Sequence, residues 1–147
     1  MLTFGVEPLV NIWNEKVKCA EEHWRETKMG RAGEILRPIF DRYSQYEKSG
    51  FYFEIVARDE CGEMAGFCGM YLTPSMHTQT MQATEDIIYL KPQYRVGRNG
   101  HLFYKFIEEE VRRRGAKKVM ATAPPGSVAA RILENLGCSL TGHIYEK

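Results

Sequence analysis

The chain has 147 residues, a formal net charge of +1, and a composition of 44% hydrophobic and 27% charged residues. This length and balance predict one compact domain over 1–147, and they give no support for a nucleic-acid-binding or membrane-surface protein. The cysteines form no C-x-x-C pair and no zinc-like cluster, which predicts reduced thiols and no metal site. Since a signal-peptide pattern and a long apolar run are both missing, we expect a cytoplasmic protein.

The first fifty residues predict two helices. Apolar residues recur at helical spacing from Pro8 to about Arg25 and again from about Ala32 to Glu47. A polar link over 27–31 separates the two segments. Pro38 lies inside the second segment, so that helix is expected to be kinked or to start late.

The next segment predicts a β-hairpin. Residues Phe51–Arg58 alternate and are rich in aromatic and β-branched side chains, and Glu63–Leu72 is expected to return as a second strand. The turn is predicted at 59–62, which ends in glycine. Gly66 and Gly69 inside the second strand indicate a bulge or a close approach of the backbone.

The second half of the chain predicts an alternation of strands and helices after a polar loop over 73–84. The predicted elements are a strand at Glu85–Leu90, a helix from Asn99 or Gly100 to Gly115, a strand at Val119–Thr122, a helix at Ser127–Leu136 and a strand at Cys138–Tyr145. This order predicts parallel pairing across 85–122 and an antiparallel hairpin before it. The expected fold class is therefore α/β, with a mixed sheet and helices on both faces.

The strand at Glu85–Leu90 contains two neighbouring carboxylates. Strict alternation would place Glu85, Ile87 and Tyr89 on one face of the sheet, and Asp86, Ile88 and Leu90 on the other. Because of this alternation, we expect only one of the two carboxylates to face a substrate cleft.

The loop between this strand and the following helix has the composition of an anion-binding turn. The first amides of a helix lack intrahelical partners and lie at the positive end of its dipole. Gly97 and Gly100 allow a ligand close to the backbone, Arg95 and Arg98 supply positive charge, and Asn99 is a candidate N-cap. Phosphate binding is one interpretation, and an ordinary tight turn before a surface helix is the other.

At these residues the chain resembles the GNAT superfamily of N-acetyltransferases. The acetyl-CoA motif of that family is Val-x-Pro-x-Tyr-Arg-Gly-x-Gly-x-Gly, and here it is replaced by Leu90-Lys91-Pro92-Gln93-Tyr94-Arg95-Val96-Gly97-Arg98-Asn99-Gly100. Arg95 and Gly100 match the first and last anchors, while Arg98 replaces the middle glycine. This variant resembles phage-encoded members, and the resemblance covers roughly residues 50–147.

The resemblance implies a mostly antiparallel sheet with a central parallel βαβ crossover, and acetyl-CoA as the acetyl donor. It implies that loop amides and arginines bind the pyrophosphate, that the pantetheine arm lies along the preceding strand, and that the first helices form a wall of the acceptor cleft. The residues assigned in this way to acetyl-CoA are Ile88, Tyr89, Leu90, Arg95, Val96, Gly97, Arg98, Asn99, Gly100 and His101.

For catalysis, the resemblance implies a strand carboxylate as base, and Glu85 and Asp86 are the candidates. The family often uses a tyrosine of the last helix as acid, but Leu133 occupies that position here. Tyr145 or Tyr89 can substitute for it, or the thiolate leaves unaided or through water.

Two functions therefore follow as hypotheses. The first is an N-acetyltransferase that acts on a primary amine, of a small molecule or a protein, by direct attack in a ternary complex. The second is a GNAT-fold binding or assembly module that has lost catalysis, such as a virion or host-interaction protein. The resemblance also implies a host-cytoplasmic location if the protein is phage-encoded, and it leaves a homodimer open.

Overall fold

A computed structural model describes residues 1–27 and 33–145, in which five strands form one mixed sheet. The strands are β1 (Thr3–Val6), β2 (Tyr52–Arg58), β3 (Met64–Pro74), β4 (Met81–Leu90) and β5 (Lys118–Met120), and their spatial order is the chain order. The first four strands pair antiparallel, and β5 pairs parallel to β4. The predicted mixed sheet with one parallel crossover is confirmed.

Helices cover both faces of this sheet, as predicted. They are α1 (Leu9–Thr27), α2 (Phe40–Lys48), α3 (Asn99–Arg113) and α4 (Val128–Asn135). Phe103 of α3 packs in one cluster with Ile55 of β2, whereas Ile12 of α1 packs in another with Val56 of the same strand. Because neighbouring residues of a strand point to opposite faces, α1 and α3 lie on opposite sides of the sheet.

The predicted hairpin between β2 and β3 is confirmed. The Asp59 carboxylate accepts hydrogen bonds from the amides of Cys61 and Glu63, and Gly62 takes the left-handed conformation that closes the turn. The close approach expected at the β3 glycines is also present. A Cβ at Gly69 would overlap the hydroxyl of Tyr52.

Helix α2 begins later in the chain than its apolar pattern predicts. It begins at Phe40, after Ile39 in an extended conformation, and residues 34–39 form no helix. The late start follows from Pro38, which pushes the residue before it out of the helical region. Most of the predicted link over 27–31, and the predicted start at Ala32, lie outside the described residues.

Two strands differ from the prediction because pairing partners extend them. Strand β1, which the sequence did not predict, pairs with β2 through Thr3 opposite Arg58. Strand β4 begins at Met81 rather than Glu85, since its first residues pair with β3 on one side and β5 on the other. The polar composition of 81–84 is overridden by these ladder hydrogen bonds.

The predicted last strand is wrong. Residues 138–145 form no strand, and Leu140, Ile144 and Tyr145 are exposed. The alternating pattern has no pairing partner among the described residues, and an isolated extended segment is not stable as a strand. No described helix has the length and apolar character that a bilayer crossing needs.

Candidate active site

The two parallel strands, β4 and β5, separate halfway along β4. Gln82, Ala83 and Thr84 pair with β5, and beyond Thr84 the same edge of β4 has no strand partner in the described ranges. Backbone groups on an unpaired edge are available to a ligand. The separation therefore leaves an open edge along the Glu85–Leu90 half of the strand.

A β-bulge lies at the point where the strands separate. Met70 of β3 is opposite Glu85, and the preceding Gly69 is opposite Ile87, so Asp86 is an extra residue without a partner in β3. A bulge interrupts the alternation of side chains. It thereby changes which face each neighbouring carboxylate occupies.

The predicted alternation is wrong for both carboxylates because of this bulge. Ile87 packs on the α1 side and Ile88 on the α3 side, as expected. Glu85, however, lines a cavity together with Ile88, and Asp86 lines a pocket together with Ile87. Consecutive side chains of β4 thus lie at different sites on opposite faces of the sheet.

The larger site is a cavity of about 420 Å³ between the separated strands, α3 and α4, called the α3-side cavity below. It is lined by Glu85 and Ile88 of β4, by β5, by Tyr104 of α3 and by Leu133 of α4, and residues 137–139 lie at its border. Its size falls within the roughly 300–1,000 Å³ of small-molecule sites.

Glu85 is a carboxyl in this cavity with a strongly raised pKa. Burial raises the pKa of its carboxyl to about 7, and a hydrogen bond from the Thr122 hydroxyl at 3.2 Å opposes that increase. A carboxylate with such a pKa is half protonated near neutral pH, which suits a general base.

Tyr104 is a residue of this cavity that the sequence analysis missed. Burial, and secondarily the Glu85 carboxylate, raise the pKa of its phenol, so that it remains a neutral proton donor. Leu133, at the family's usual tyrosine position, lines the same cavity. Tyr104 directly follows the buried Phe103 in the sequence. That it shares a cavity with Leu133 depends on the packing of α3 against α4.

The second site is a pocket of about 170 Å³ on the other face of the sheet, called the α1-side pocket below. It is lined by Lys16, Val17, Ala20, Trp24, Leu36, Pro38, Tyr43, Asp86 and Ile87. The Tyr43 hydroxyl donates to Asp86 at 3.1 Å. Burial and Asp86 also raise the pKa of the neighbouring Tyr71 to about 12.

A buried ion pair lies beneath this pocket. The Lys16 ammonium donates to Glu54 and to the Tyr52 hydroxyl, both at 2.7 Å, and Tyr52 donates to Glu54 at 2.6 Å. Lys16 is 3% and Glu54 is 0% exposed. Burial raises the pKa of Glu54, and Lys16 opposes that increase.

The loop before α3 exposes backbone donors. Within the described residues, the amides of Gly97, Arg98, Gly100 and His101 donate no hydrogen bond. The N-cap is Arg98, which makes no side-chain capping bond, rather than the predicted Asn99. The Asn99 side chain instead donates to the carbonyl of Tyr94 at 3.0 Å and holds the loop.

Arg95 contacts the protein itself in this structure. Its guanidinium donates to Glu26 at 2.7 Å and to the carbonyl of Leu90 at 2.6 Å, and it lies over the ring of Tyr89. The loop is therefore attached to the end of α1. The role of Arg95 toward a phosphate stays a prediction.

The remaining predicted residues lie apart from the two carboxylates. Tyr145 is 90% exposed and lines neither cavity. Tyr89 is buried on the α1 side, where its ring packs against His23. The structure thus brings together Glu85 and Ile88 in the α3-side cavity and places Val96 to His101 at the start of α3.

Solved structures share this fold along nearly their whole length. A ribosomal-protein-alanine N-acetyltransferase from Brucella melitensis biovar Abortus 2308 aligns with a TM-score of 0.73 at 14% identity, over 99% of this chain and 97% of that one. An aminoglycoside acetyltransferase from an uncultured soil metagenomic sample aligns at 0.77 and 13%, over 100% and 97%. A predicted acetyltransferase from Clostridium acetobutylicum, solved with acetyl-CoA, aligns at 0.73 and 13%, over 100% and 96%. Such low identities show a shared fold alone.

The mixed sheet, the separation of β4 from β5 and the loop before α3 define an α/β fold that the chain shares with these structures. Residues 10–137 match the acetyltransferase (GNAT) family, and the chain belongs to that family. A search of curated protein sequences gives no significant match. The resemblance to phage-encoded members stays a prediction, and a module without catalysis is not favoured.

Proposed function

We propose that the protein is an acetyl-CoA-dependent N-acetyltransferase that acts on a primary amine by direct attack in a ternary complex. One observation supports this most: β4 and β5 separate beside a half-buried carboxylate with a pKa of about 7, and an uncapped helix N-terminus follows β4 in the chain. This arrangement has an anion site at one end and a proton acceptor at the other.

The donor would bind along the open edge of β4. The amides of Gly97, Arg98, Gly100 and His101 suit the pyrophosphate, because amides at a helix N-terminus bind anions. The backbone of Ile88 and Tyr89 has no strand partner on this edge and suits the amides of the pantetheine arm, whereas the Leu90 carbonyl accepts from Arg95. The predicted acetyltransferase from Clostridium acetobutylicum, whose structure was solved with acetyl-CoA, shares this fold, which supports the assignment.

Acetyl transfer would proceed by direct attack of the amine on the thioester. Glu85 accepts one proton from the substrate ammonium, directly or through water, and the neutral amine attacks the thioester carbonyl. A C–N bond forms, the C–S bond breaks, and the second amine proton leaves with the collapse of the tetrahedral intermediate. The products are the acetamide, the CoA thiol and one proton.

Tyr104 would donate to the departing thiolate. It lines the cavity that contains Glu85, whereas Tyr145 and Tyr89 lie elsewhere. Its raised pKa keeps the phenol protonated at neutral pH. A tyrosine of α3 thereby replaces the missing tyrosine at Leu133.

Thermal unfolding with and without acetyl-CoA tests the donor site. Acetyl-CoA at 100 times its Kd should stabilise the folded state by about 2.7 kcal/mol. Arg98→Glu reverses the charge of an exposed N-cap residue and should weaken acetyl-CoA binding about tenfold, since charge-assisted bonds at phosphates are strong.

The matched control is Lys18→Glu, the same charge change at an exposed position of α1. It should leave the ligand-induced shift unchanged. Absence of any shift at millimolar acetyl-CoA, or an equal effect of both variants, would contradict the proposed donor site. This design also avoids the loop glycines, because Gly97 has a positive φ and Gly100 packs on Ile132.

A further inference from the structure

We propose that Arg95 and Glu26 form a latch at the open edge of β4, and that acetyl-CoA binds there when this latch opens. In the latched arrangement the end of α1 holds the side chain of Arg95 away from the loop amides. Glu26 is then a positioning residue that acts through Arg95. The inference rests on the proposed function, because it concerns the donor site of that reaction.

The latch is a bidentate ion pair. The two terminal nitrogens of Arg95 donate to the two carboxylate oxygens of Glu26, at 2.5 and 2.7 Å. Paired bonds of this kind are stronger and more directional than a single contact. The hydrogen bond from Arg95 lowers the pKa of the Glu26 carboxyl, so that the group is ionised at neutral pH. Its negative charge offsets the positive charge that Arg95 would present to a phosphate.

The third nitrogen of the same guanidinium occupies a backbone acceptor. Nε of Arg95 donates to the Leu90 carbonyl at 2.6 Å. The amide of the same peptide group, that of Lys91, donates to Ala65 on the β3 side, and the C=O and N–H of a trans peptide point in opposite directions. The Leu90 carbonyl therefore points to the other edge of β4, which beyond Thr84 has no strand partner in the described ranges. Arg95 thus occupies an acceptor that an amide of the pantetheine arm could use.

Further contacts hold the end of α1 in the position that the latch needs. The Tyr89 hydroxyl donates to Glu22 at 3.4 Å, and its ring lies 5.1 Å from that of His23, between centroids. Glu22 and Glu26 are four residues apart and so lie on the same face of the helix. The guanidinium of Arg95 lies 5.4 Å from the centroid of the same Tyr89 ring. The last turns of α1 are therefore fixed against the end of β4, with Glu26 beside Arg95.

The latch can open at a small cost. The side chains of Arg95 and Glu26 are 41% and 38% exposed, and exposed ion pairs contribute little to stability because water and salt compete with them. A pyrophosphate at the amides before α3 carries more negative charge than one carboxylate, so it would draw Arg95 away from Glu26. The same movement releases the Leu90 carbonyl, so one side chain controls two contacts of the donor.

The latch lowers the measured affinity for the donor. When a ligand binds only one of two arrangements, its apparent Kd is the intrinsic Kd divided by the fraction of molecules in that arrangement. Removing the charge of Glu26 increases the fraction of molecules in which Arg95 is free. A carboxylate outside the proposed donor site is therefore expected to oppose acetyl-CoA binding, which is an autoinhibitory contact.

Calorimetric titration with acetyl-CoA tests the latch without any turnover. Glu26→Gln should bind acetyl-CoA about three- to fivefold more tightly than the wild type, the upper range for an exposed ion pair. Glu21→Gln, the same change at an exposed position of α1, is the matched control and should leave the Kd unchanged. Unchanged or weaker binding by Glu26→Gln, or an equal gain in the control, overturns the latch while the donor site stands. If neither the wild type nor Glu26→Gln binds acetyl-CoA, the proposed function is contradicted and the latch with it.

The same titration in the Arg95→Gln background separates a latch from simple charge repulsion. If Glu26 acts through Arg95, adding Glu26→Gln to Arg95→Gln should bring no further gain in affinity, because the two changes are coupled. An equal gain in both backgrounds would show that Glu26 repels the pyrophosphate directly, and it would overturn the latch.

Stopped-flow binding of acetyl-CoA adds a kinetic measurement that a merely structural role would not affect. In Glu26→Gln the association rate constant should increase by about the same factor as the affinity, with little change in the dissociation rate constant, since the fraction of open molecules increases. A gain in affinity that comes from slower dissociation alone would overturn the latch.

Discussion

Glu85 and Asp86 are neighbours in the chain and carry the same functional group, yet they have different surroundings. Glu85 lies in the α3-side cavity near Cys68 and Tyr104, where burial raises its pKa to about 7. Asp86 lies in the α1-side pocket, where it accepts a hydrogen bond from a phenol. The first environment suits proton transfer, whereas in the second a hydrogen bond orients the carboxylate.

One extra residue in β4, Asp86, therefore places the two carboxylates at two different sites. Without the bulge, Glu85 would share a face with Ile87, and Asp86 would share one with Ile88. The bulge exchanges the two positions at the point where β5 leaves the sheet. Bulges next to ligand sites commonly redirect a side chain in this way.

The largest effect is expected on the α1 side, from Lys16→Met. This change leaves Glu54 as a buried carboxylate without its cation, which should destabilise the fold by about 3–5 kcal/mol. Urea unfolding at several pH values measures it. The folded-state pKa of Glu54 would rise further above its unfolded value, so the loss should be greater at pH 8 than at pH 5.

Lys16→Met combined with Glu54→Leu provides the control, because it removes both charges. Most of the lost stability should return, since a well-packed apolar pair can replace a buried ion pair. A double variant no more stable than Lys16→Met would show that the ion pair is not the cause.

On the α3 side, Glu85→Gln should lower kcat by about 10²-fold, because the variant cannot accept the ammonium proton. Wild-type kcat/KM should rise with pH through about 7, where Glu85 of the free protein loses its proton, and this rise should be absent in the variant. Asp86→Asn, the neighbouring change, should lower kcat much less, because its side chain lies on the opposite face of the sheet from Glu85 and Tyr104. Equal effects of both variants on kcat would remove the distinction between the two sides.

The same Glu85→Gln variant should be more stable than the wild type at high pH. The folded-state pKa of Glu85 is raised, so the folded protein holds this proton more tightly than the unfolded chain. The group therefore reduces stability as pH rises from about 4.3 to 7. The gain from Gln should grow over that range to roughly 1–3 kcal/mol, as measured by thermal unfolding at pH 5 and 8.

The smallest effect is expected from Tyr104→Phe, which removes only the phenol oxygen. It should lower kcat by about tenfold with little change in KM, since the hydroxyl is proposed to act on the leaving thiolate alone. Tyr145→Phe, at the exposed end of the chain, is the matched control and should have no effect. Loss of activity in the control variant, but not in Tyr104→Phe, would reverse the assignment of the acid.

Elements with a strong local pattern were predicted well. Helix α3 begins at Asn99 and ends before Gly115, which has a left-handed backbone conformation. Helix α4 ends before Gly137 and has its N-cap at Ser127, whose side chain accepts from the Ala130 amide. A helix cap and the apolar spacing of its helix involve residues only a few positions apart, so both can be recognised in the sequence.

Elements that depend on distant partners were predicted poorly. Strand β1 and the first residues of β4 are strands because other strands lie beside them, while 138–145 has the pattern but no pairing. The residues of the site show the same dependence on distant partners. The loop amides were expected from the glycines and the helix start, but Tyr104 was missed because its partners come from β4 and α4.

Local sequence patterns were sufficient for the order β4, α3, β5 and α4, for the exposed donors before α3 and for the two carboxylates on β4. Only the tertiary structure decided which face each carboxylate occupies, since the register with β3 places the bulge at Asp86. It also decided that Lys16, Tyr43 and Asp86 share one pocket, although α1, α2 and β4 are far apart in the chain. Local conformation depends on neighbouring residues, whereas register and burial depend on packing between distant segments.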